Sequence, residues 1–364
     1  MQEFTILQRA LTLAGLAPAL LIGAGVHRDD LPENLTPPSY RVSMPVPAAP
    51  QAAPVFPAPA ALSATIASLS REFGGVVGIS IRSLDWGWQI DANGQRRMPQ
   101  QSVSKLWVAM TVLDARDKGR LTLDDPVTLT RENLTVFHQP IATLVVRDGV
   151  YRTTVRELML RAMQSSDNTA NDRLLTLVGG PPAVRAFIAE KGLGEIRFGP
   201  GERLLQAGTA GLSWKPEYSM GRAFYQARAA LPVAVRRASF DAYVADPPDG
   251  ASSGAIALAL ARLKAGELLS PASSNFLINV MQGARTGRAR IKGATPSDWK
   301  WGHKTGTGQD LGGRTAGFND VGILTAPDGK AYAIAVMIGD TSRPVRERQQ
   351  LMQAVVSSVV ANHR

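Results

Sequence analysis

The sequence predicts an α/β (α+β) fold: an antiparallel sheet flanked by the two terminal helices, a mostly helical lobe inserted in sequence, and a cleft between the two parts. Three observations carry this. Strand-like segments lie near both ends of the folded portion, at 76–81 and 86–90 and again at 301–308, 318–324 and 332–338. The chain between them alternates amphipathic helical patterns with turn residues. The first and last folded segments, 61–73 and 344–361, carry apolar residues at helical spacing that need a sheet face to cover them.

Composition sets the outer limits. The 364 residues, 45% of them hydrophobic, suffice for one large or two ordinary domains. The absence of cysteine excludes disulfides, thiolate catalysis and cysteine-based zinc sites, and leaves either redox compartment open. The histidines, at 27, 138, 303 and 363, lack the paired spacing of a metal site, so neither a metal nor a cofactor is expected. A net charge of +10 suits anionic partners. The arginines are dispersed, however, and no nucleic-acid-binding motif occurs, so scattered solvated charge is the better reading.

Residues 1–26 read as an export signal, with Arg9 before the apolar run Ala10–Gly25. The run is short beside the roughly 20 residues that span a bilayer, so no stable membrane span is expected after cleavage. Residues 27–60, with Pro37-Pro38, Pro45, Pro47, Pro50, Pro57 and Pro59, read as an extended tether. The folded domain is expected over 61–364.

Within it, Leu62, Ile66, Leu69 and Phe73 form a helical stripe that Gly74-Gly75 stops. The run 76–81 is a buried strand with 86–90 as its partner. Next comes Gln101-Ser102-Val103-Ser104-Lys105, a hydroxyl and an amine three residues apart at the mouth of a helix whose stripe is Leu106, Ala109, Met110 and Leu113. A serine hydroxyl is a poor nucleophile until a neighbour takes its proton, and an amine one turn along can do so. Alone this tetrad says little, because serine, lysine and helices are common. Thr154 through Glu157 is a capping box, with Thr154 able to accept the Glu157 amide. Ser165-Ser166-Asp167-Asn168 then separates two helical segments and on its own is an ordinary turn. Glu202 to Gly208 reads as loop-like, with one acid among apolar neighbours. Helices follow at 256–263 and 273–281. The small residues of Trp301 to Gly308 mark a strand that something approaches closely. A Pro327-Asp328-Gly329 turn joins the last two strands, and the segment 344–361 closes the chain.

Ser102-x-x-Lys105, Ser166-Asp167-Asn168 and Lys304-Thr305-Gly306 stand in the order found in class A β-lactamases and penicillin-binding proteins. Over nearly all of 61–364 the chain resembles the class A β-lactamase family. Glu202-x-x-Leu205 follows Ser166 at the spacing of the family's acidic loop, an element that penicillin-binding relatives typically lack. His138-Gln139-Pro140-Ile141 is similar to the family's substrate-edge loop, Thr286-Gly287 with Arg290-Ile291 to the segment before its Lys-Thr-Gly strand, and Asn319-Asp320 to the strand after it.

The resemblance implies catalytic roles for Ser102, Lys105, Ser166 and Glu202. Ser102 would attack a carbonyl whose oxyanion is held by the backbone amides of Ser102 and Thr307, each worth about 3 to 4 kcal/mol. Lys105, or Glu202 through a water, would take its proton; the sequence leaves both open. Ser166 would relay a proton to the leaving nitrogen, and Glu202 would activate the water that clears the acyl-enzyme. Asn168 would bind the substrate's side-chain amide; Lys304, Thr305 and Arg290 its carboxylate; Gly306 completes the motif and His138 lines the rim. Substrate would be a small-molecule β-lactam or a peptidoglycan-like peptide, the enzyme a periplasmic or secreted bacterial monomer.

Two departures stand out. Gln206 occupies the place of an asparagine that helps hold the deacylating water, which implies slow deacylation. The stretch from Glu202 to Lys304 is longer than usual, the extra chain falling around 214–252 with Asp246-Pro247-Pro248-Asp249-Gly250, and it reads more readily as surface decoration than as part of the cleft. The alternatives to β-lactam hydrolysis are a penicillin-binding D,D-peptidase or related amidase or esterase, and an inactive cell-wall-binding module.

Overall fold

A computed structural model describes residues 56–364. The expected signal at 1–26 and most of the expected tether at 27–60 lie outside the described residues. Phe56 donates its N–H to the Trp86 carbonyl at 3.1 Å and meets the Trp86 ring edge-on at 4.9 Å.

Five strands make the main sheet: β1 Val76–Ser83, β2 Gln89–Ala92, β3 Lys300–Thr307, β4 Phe318–Thr325 and β5 Ala331–Asp340. Their order is β2-β1-β5-β4-β3, every neighbouring pair antiparallel, which leaves β3 at an edge. Side chains alternate across a strand. On β5, Ile334, Val336 and Ile338 therefore enter the core shared with the first helix Ala60–Glu72 and the last helix Val345–Ala361. Ala333, Ala335 and Met337 enter the larger core under the helical lobe. Small residues on that second face admit the helix Ser253–Lys264 close to the sheet, where Ser80 and Ser253 share a hydrogen bond at 2.9 Å.

The helix Lys105–Asp117 is more deeply set than a single apolar stripe implies. Every residue from Lys105 to Ala115 is buried, Trp107, Val108 and Val112 included. A helix buried on all sides belongs in the middle of a lobe, and this one packs against the helices Val155–Gln164, Asn168–Leu177 and Pro271–Gln282. Whatever its N-terminus carries is thus held on a deeply buried element of the lobe.

One expectation is corrected. Glu202 to Gly208 is not a loop but the start of the helix Glu202–Thr209. Its inward face carries Glu202, Leu205, Gln206 and Thr209, all buried, at helical spacing. Two of those are polar and one is charged, so the stripe is invisible to a purely hydrophobic reading.

β3 and β4 approach so closely that a Cβ on Gly322 would sit 2.2 Å from the Gly302 carbonyl oxygen and 2.8 Å from the His303 Cα. Both are backbone atoms of the paired strand and cannot rotate away. Gly322→Ala is expected to cost about 1 to 3 kcal/mol, as overpacking does. A urea midpoint equal to that of the unmodified protein would contradict this.

Candidate active site

The turn that carries Ser102, the candidate nucleophile turn, comes first. Gln101–Ser104 is a 3₁₀ turn feeding directly into Lys105–Asp117. Lys105 Nζ donates to Ser102 Oγ at 2.9 Å and to Asn168 Oδ1 at 2.9 Å, and it contacts Glu202 Oε1 as a third acceptor. Those three bonds use every N–H of an ammonium. The lysine and glutamate side chains are 0% and 5% exposed, so the ion pair is buried.

Opposite this turn stands Ser166, with φ 59, between the helices Val155–Gln164 and Asn168–Leu177. Its Oγ accepts from Lys304 Nζ at 2.9 Å. Asp167 caps the following helix through Ala170 N at 3.0 Å and also takes the Ile141 amide at 2.7 Å. His138 bonds through Nε2 to the Ser165 carbonyl at 2.7 Å, while its own carbonyl accepts the Asn168 amide at 2.9 Å. The edge loop 138–141 and the turn 165–168 are therefore one unit. Asn168 Nδ2 donates to the Val136 carbonyl at 2.9 Å, so this side chain ties Lys105 to the edge loop besides facing the cleft.

The edge strand β3 closes the third side. A Cβ on Gly306 would lie 2.3 Å from the Gln100 carbonyl, so the close approach expected of this strand is made by the backbone just before the nucleophile turn. Thr305 and Thr286 share a hydroxyl bond at 2.8 Å. Arg290 is clamped: Nη1 donates to the Gly306 carbonyl at 2.9 Å and to the Asn319 carbonyl, Nη2 donates to Thr307 Oγ1 at 2.6 Å, and the guanidinium lies 3.8 Å from the Phe318 ring centre. Burial lowers its pKa to about 10. Burial first, then the charges of Lys105 and Arg290, hold the Lys304 amine well below the usual lysine range. One buried cation, Lys304, thus stands on β3 and reaches Ser166, and a second, Arg290, clamps the strand's end.

Glu202 opens its helix with Gly201, φ 95, as a cap lacking a side chain. Asp172 supplies the missing acceptor, taking the amides of Glu202 at 3.1 Å and Arg203 at 3.4 Å. Burial, with the Glu202 charge second, raises its pKa to about 6. One turn on, Gln206 Nε2 donates to Glu202 Oε2 at 3.3 Å and to Gln101 Oε1 at 3.0 Å, and its Oε1 accepts from Gln309 Nε2 at 3.0 Å.

These walls enclose a cleft of about 540 Å³. Of the residues singled out in the sequence, Ser102, His138, Ser166, Asn168, Gln206, Arg290, Thr305 and Thr307 line it. Lys105, Glu202, Lys304 and Gly306 are buried or enclosed immediately behind, each in contact with a lining residue or with the nucleophile turn.

The extra chain around 214–252 is not decoration. It contains the helices Ala223–Ala230 and Val233–Ala245. The first places Tyr225 and Arg228 in the cleft wall; the second, with the turn after it, sends Tyr243 and Asp249 beneath the nucleophile turn. Sequence reasoning missed these residues together with Gln101, Asp172 and Gln309. Their only signal was position, Gln101 beside Ser102 and Asp249 in an unmatched Asp-Gly turn. No helix among the described residues is long and apolar enough to cross a membrane.

With this geometry in view, comparison with known proteins is specific. A model described as the beta-lactamase enzyme family matches residues 61–363. The extended-spectrum beta-lactamase PER-1 of Pseudomonas aeruginosa is 27% identical over 282 residues, covering 78% of this chain and 80% of that protein. The carbapenem-hydrolyzing beta-lactamase KPC of Klebsiella oxytoca is 29% identical over 241 residues, 66% of this chain and 69% of that one. Among solved structures, a beta-lactamase from Chitinophaga pinensis superposes with a TM-score of 0.68 at 28% identity, covering 83% of this chain and 99% of the other.

The Asp172 carboxyl yields a pH test. Its folded pKa of about 6 stands above the ordinary 3.8, so the folded protein holds this proton more tightly. The stability that this provides is full below pH 3.8 and is lost as pH rises through about 6. Asp172→Asn keeps an acceptor for the Glu202 amide and removes the titration. From pH 4 to pH 7 the unmodified protein should lose stability relative to this variant, by up to about 3 kcal/mol. Parallel urea titrations across that range check the difference, and a constant gap contradicts it.

Proposed function

We propose that this chain, which belongs to the β-lactamase enzyme family and is a hydrolase acting on β-lactams, opens the lactam ring through a covalent ester on Ser102. The observation that carries the proposal is the triple contact of Lys105 Nζ with Ser102, Asn168 and Glu202. It joins a hydroxyl nucleophile, an amine and a carboxylate at one site.

Ser102 Oγ attacks the lactam carbonyl carbon. Its proton passes to Lys105, which can take it only after giving one up, and Glu202 in direct contact is the group to receive that one. The two candidate bases thus act as one coupled pair. The oxyanion that forms is held by the backbone amides of Ser102 and Thr307, the latter at the end of β3. When the carbon–nitrogen bond breaks, the nitrogen takes a proton from Ser166, which is resupplied by Lys304 at 2.9 Å. An amine held well below its usual pKa gives up that proton readily. The substrate carboxylate lies against the hydroxyls of Thr305 and Thr307, with Arg290 and Lys304 supplying positive charge behind them.

Deacylation needs a water. Glu202 first releases the proton gained in acylation, which restores the Lys304 ammonium; it then takes a proton from the water, the hydroxide adds to the ester, and Ser102 Oγ leaves with that proton, passed from Glu202 through Lys105. Gln206 spends both amide hydrogens on Glu202 and Gln101 and its oxygen on Gln309, so it orients Glu202 rather than the water. This supports release of the acyl group as the slow step. Export from the cytoplasm, resting on the apolar run before Gly25, belongs to the same proposal.

Mass spectrometry of the protein mixed with penicillin tests it. Ser102→Ala should form no adduct, Glu202→Ala should accumulate one, and the unmodified protein should give a burst of about one equivalent of product before steady turnover. If Glu202→Ala clears its adduct as fast as the unmodified protein, the deacylation role is wrong. An adduct that persists for hours on the unmodified protein indicates a D,D-peptidase instead.

A further inference from the structure

Gln101 has a backbone that needs an explanation. It immediately precedes Ser102 and holds φ 53, a left-handed value uncommon for a residue with a side chain. Its carbonyl accepts locally from Ser104 Oγ at 2.8 Å, whereas its backbone N–H and its side chain are paired with groups from distant parts of the chain. Its backbone N–H donates to Asp249 Oδ2 at 2.8 Å. Its Nε2 donates to the Tyr243 hydroxyl at 2.6 Å, and that hydroxyl donates in turn to Asp249 Oδ2 at 3.2 Å. Its Oε1 accepts from Gln206 Nε2, which also reaches Glu202 Oε2. A continuous line of hydrogen bonds thus runs from the extra chain, through Gln101, to Glu202.

All of these groups are buried: Gln101, Tyr243, Asp249, Gln206 and Glu202 are each between 1% and 5% exposed. Solvent is not at hand to replace a lost partner, so each bond fixes a position. Asp249 Oδ1 has no hydrogen-bond partner, so the donors that satisfy the carboxylate side chain are Gln101 and Tyr243, both on Oδ2. Burial raises the Asp249 pKa to about 6 and the Tyr243 phenol well above its usual range, which keeps the phenol protonated as a donor. The helix Val233–Ala245 carries Tyr243 on its buried side with Phe240.

We propose that Tyr243 and Asp249 are positioning residues of the active site: by holding Gln101 they set the orientation of Ser102, and through Gln206 that of Glu202. The inference rests on the reading of Ser102 as nucleophile and Glu202 as deacylating base. It assigns to the extra chain a share in both chemical steps. Neither residue touches substrate, so binding of the intact β-lactam should depend on them little, and the rates of acylation and deacylation strongly.

The experiment is a double-mutant cycle on the full chain, with Tyr243→Phe, Gln101→Ala and the pair, followed by stopped-flow absorbance with a chromogenic cephalosporin. Tyr243→Phe keeps the ring and removes the hydroxyl. It should slow deacylation by on the order of tenfold to a hundredfold, the scale of a misplaced catalytic group, and change the initial dissociation constant less than about threefold. Because Tyr243 acts through Gln101, the double variant should be no slower than Gln101→Ala alone. A merely structural tyrosine would add its effect in full. Asp249→Asn retains one acceptor oxygen and should recover part of the rate lost in Asp249→Ala, both compared at a temperature where each is folded by circular dichroism.

Wild-type rates in Tyr243→Phe, or full additivity in the cycle, overturn the proposal. If Tyr243→Phe does not fold, equal rates in Asp249→Asn and Asp249→Ala overturn it in the same way. Failure of the unmodified protein to form a Ser102 adduct would instead remove the underlying reading of the site, so the two failures are told apart.

Discussion

A single buried ammonium organises the catalytic half of this molecule. Lys105 Nζ is where three separate segments meet: the 3₁₀ turn with Ser102, the helix opened by Asn168 and the helix opened by Glu202. Removing one partner of such a buried pair leaves an unpaired charge, at a cost of about 3 to 5 kcal/mol. The three segments are therefore kept in register by the same bonds that surround Ser102 Oγ. The helix behind Lys105 is correspondingly buried on every side, from Lys105 to Ala115.

A second electrostatic constraint follows from the first. Lys304 and Arg290 are buried along the edge strand, within range of the Lys105 charge. The acids that offset them, Glu202 and Asp320, lie behind the wall; Glu202 is occupied by Lys105, and Asp320 Oδ1 pairs with His303 Nδ1 at 2.6 Å. The cleft side is left with a surplus of positive potential that a bound carboxylate relieves. Burial first, and the charges of Lys105 and Arg290 second, lower the Lys304 amine, and an arriving anion would raise it again.

Which parts of this were legible in the sequence depends on distance along the chain. Ser102 and Lys105 are a local pair whose three-residue spacing puts them on one side once the helix start is known. The antiparallel sheet and its covering helices were legible because apolar periodicity marks any face that must be buried. Glu202 was legible through its spacing, but its helix was not, since the buried face is polar and only Asp172 from another helix makes it capable of starting there. The Gln101–Asp249 bond joins residues 148 apart, and no local pattern announces it. The insertion looked like decoration for the same reason: its function lies in contacts with distant segments, and its own composition is that of an ordinary surface helix pair.

The backbone carries the remaining argument. Four described residues other than glycine have positive φ, and three of them, Gln101, Phe137 and Ser166, surround the cleft. Each such conformation costs on the order of 1 to 3 kcal/mol and persists only where neighbours over-determine it. Ser166 is held by Lys304. Phe137 packs edge-on against Phe224 at 4.9 Å, and Gln101 is held by Tyr243 and Asp249. Two of the three strained positions are thus fixed by residues of the extra chain. Both sets of contacts come from the chain between Glu202 and Lys304. The insertion and the strained residues form one structural unit, and neither is explained without the other.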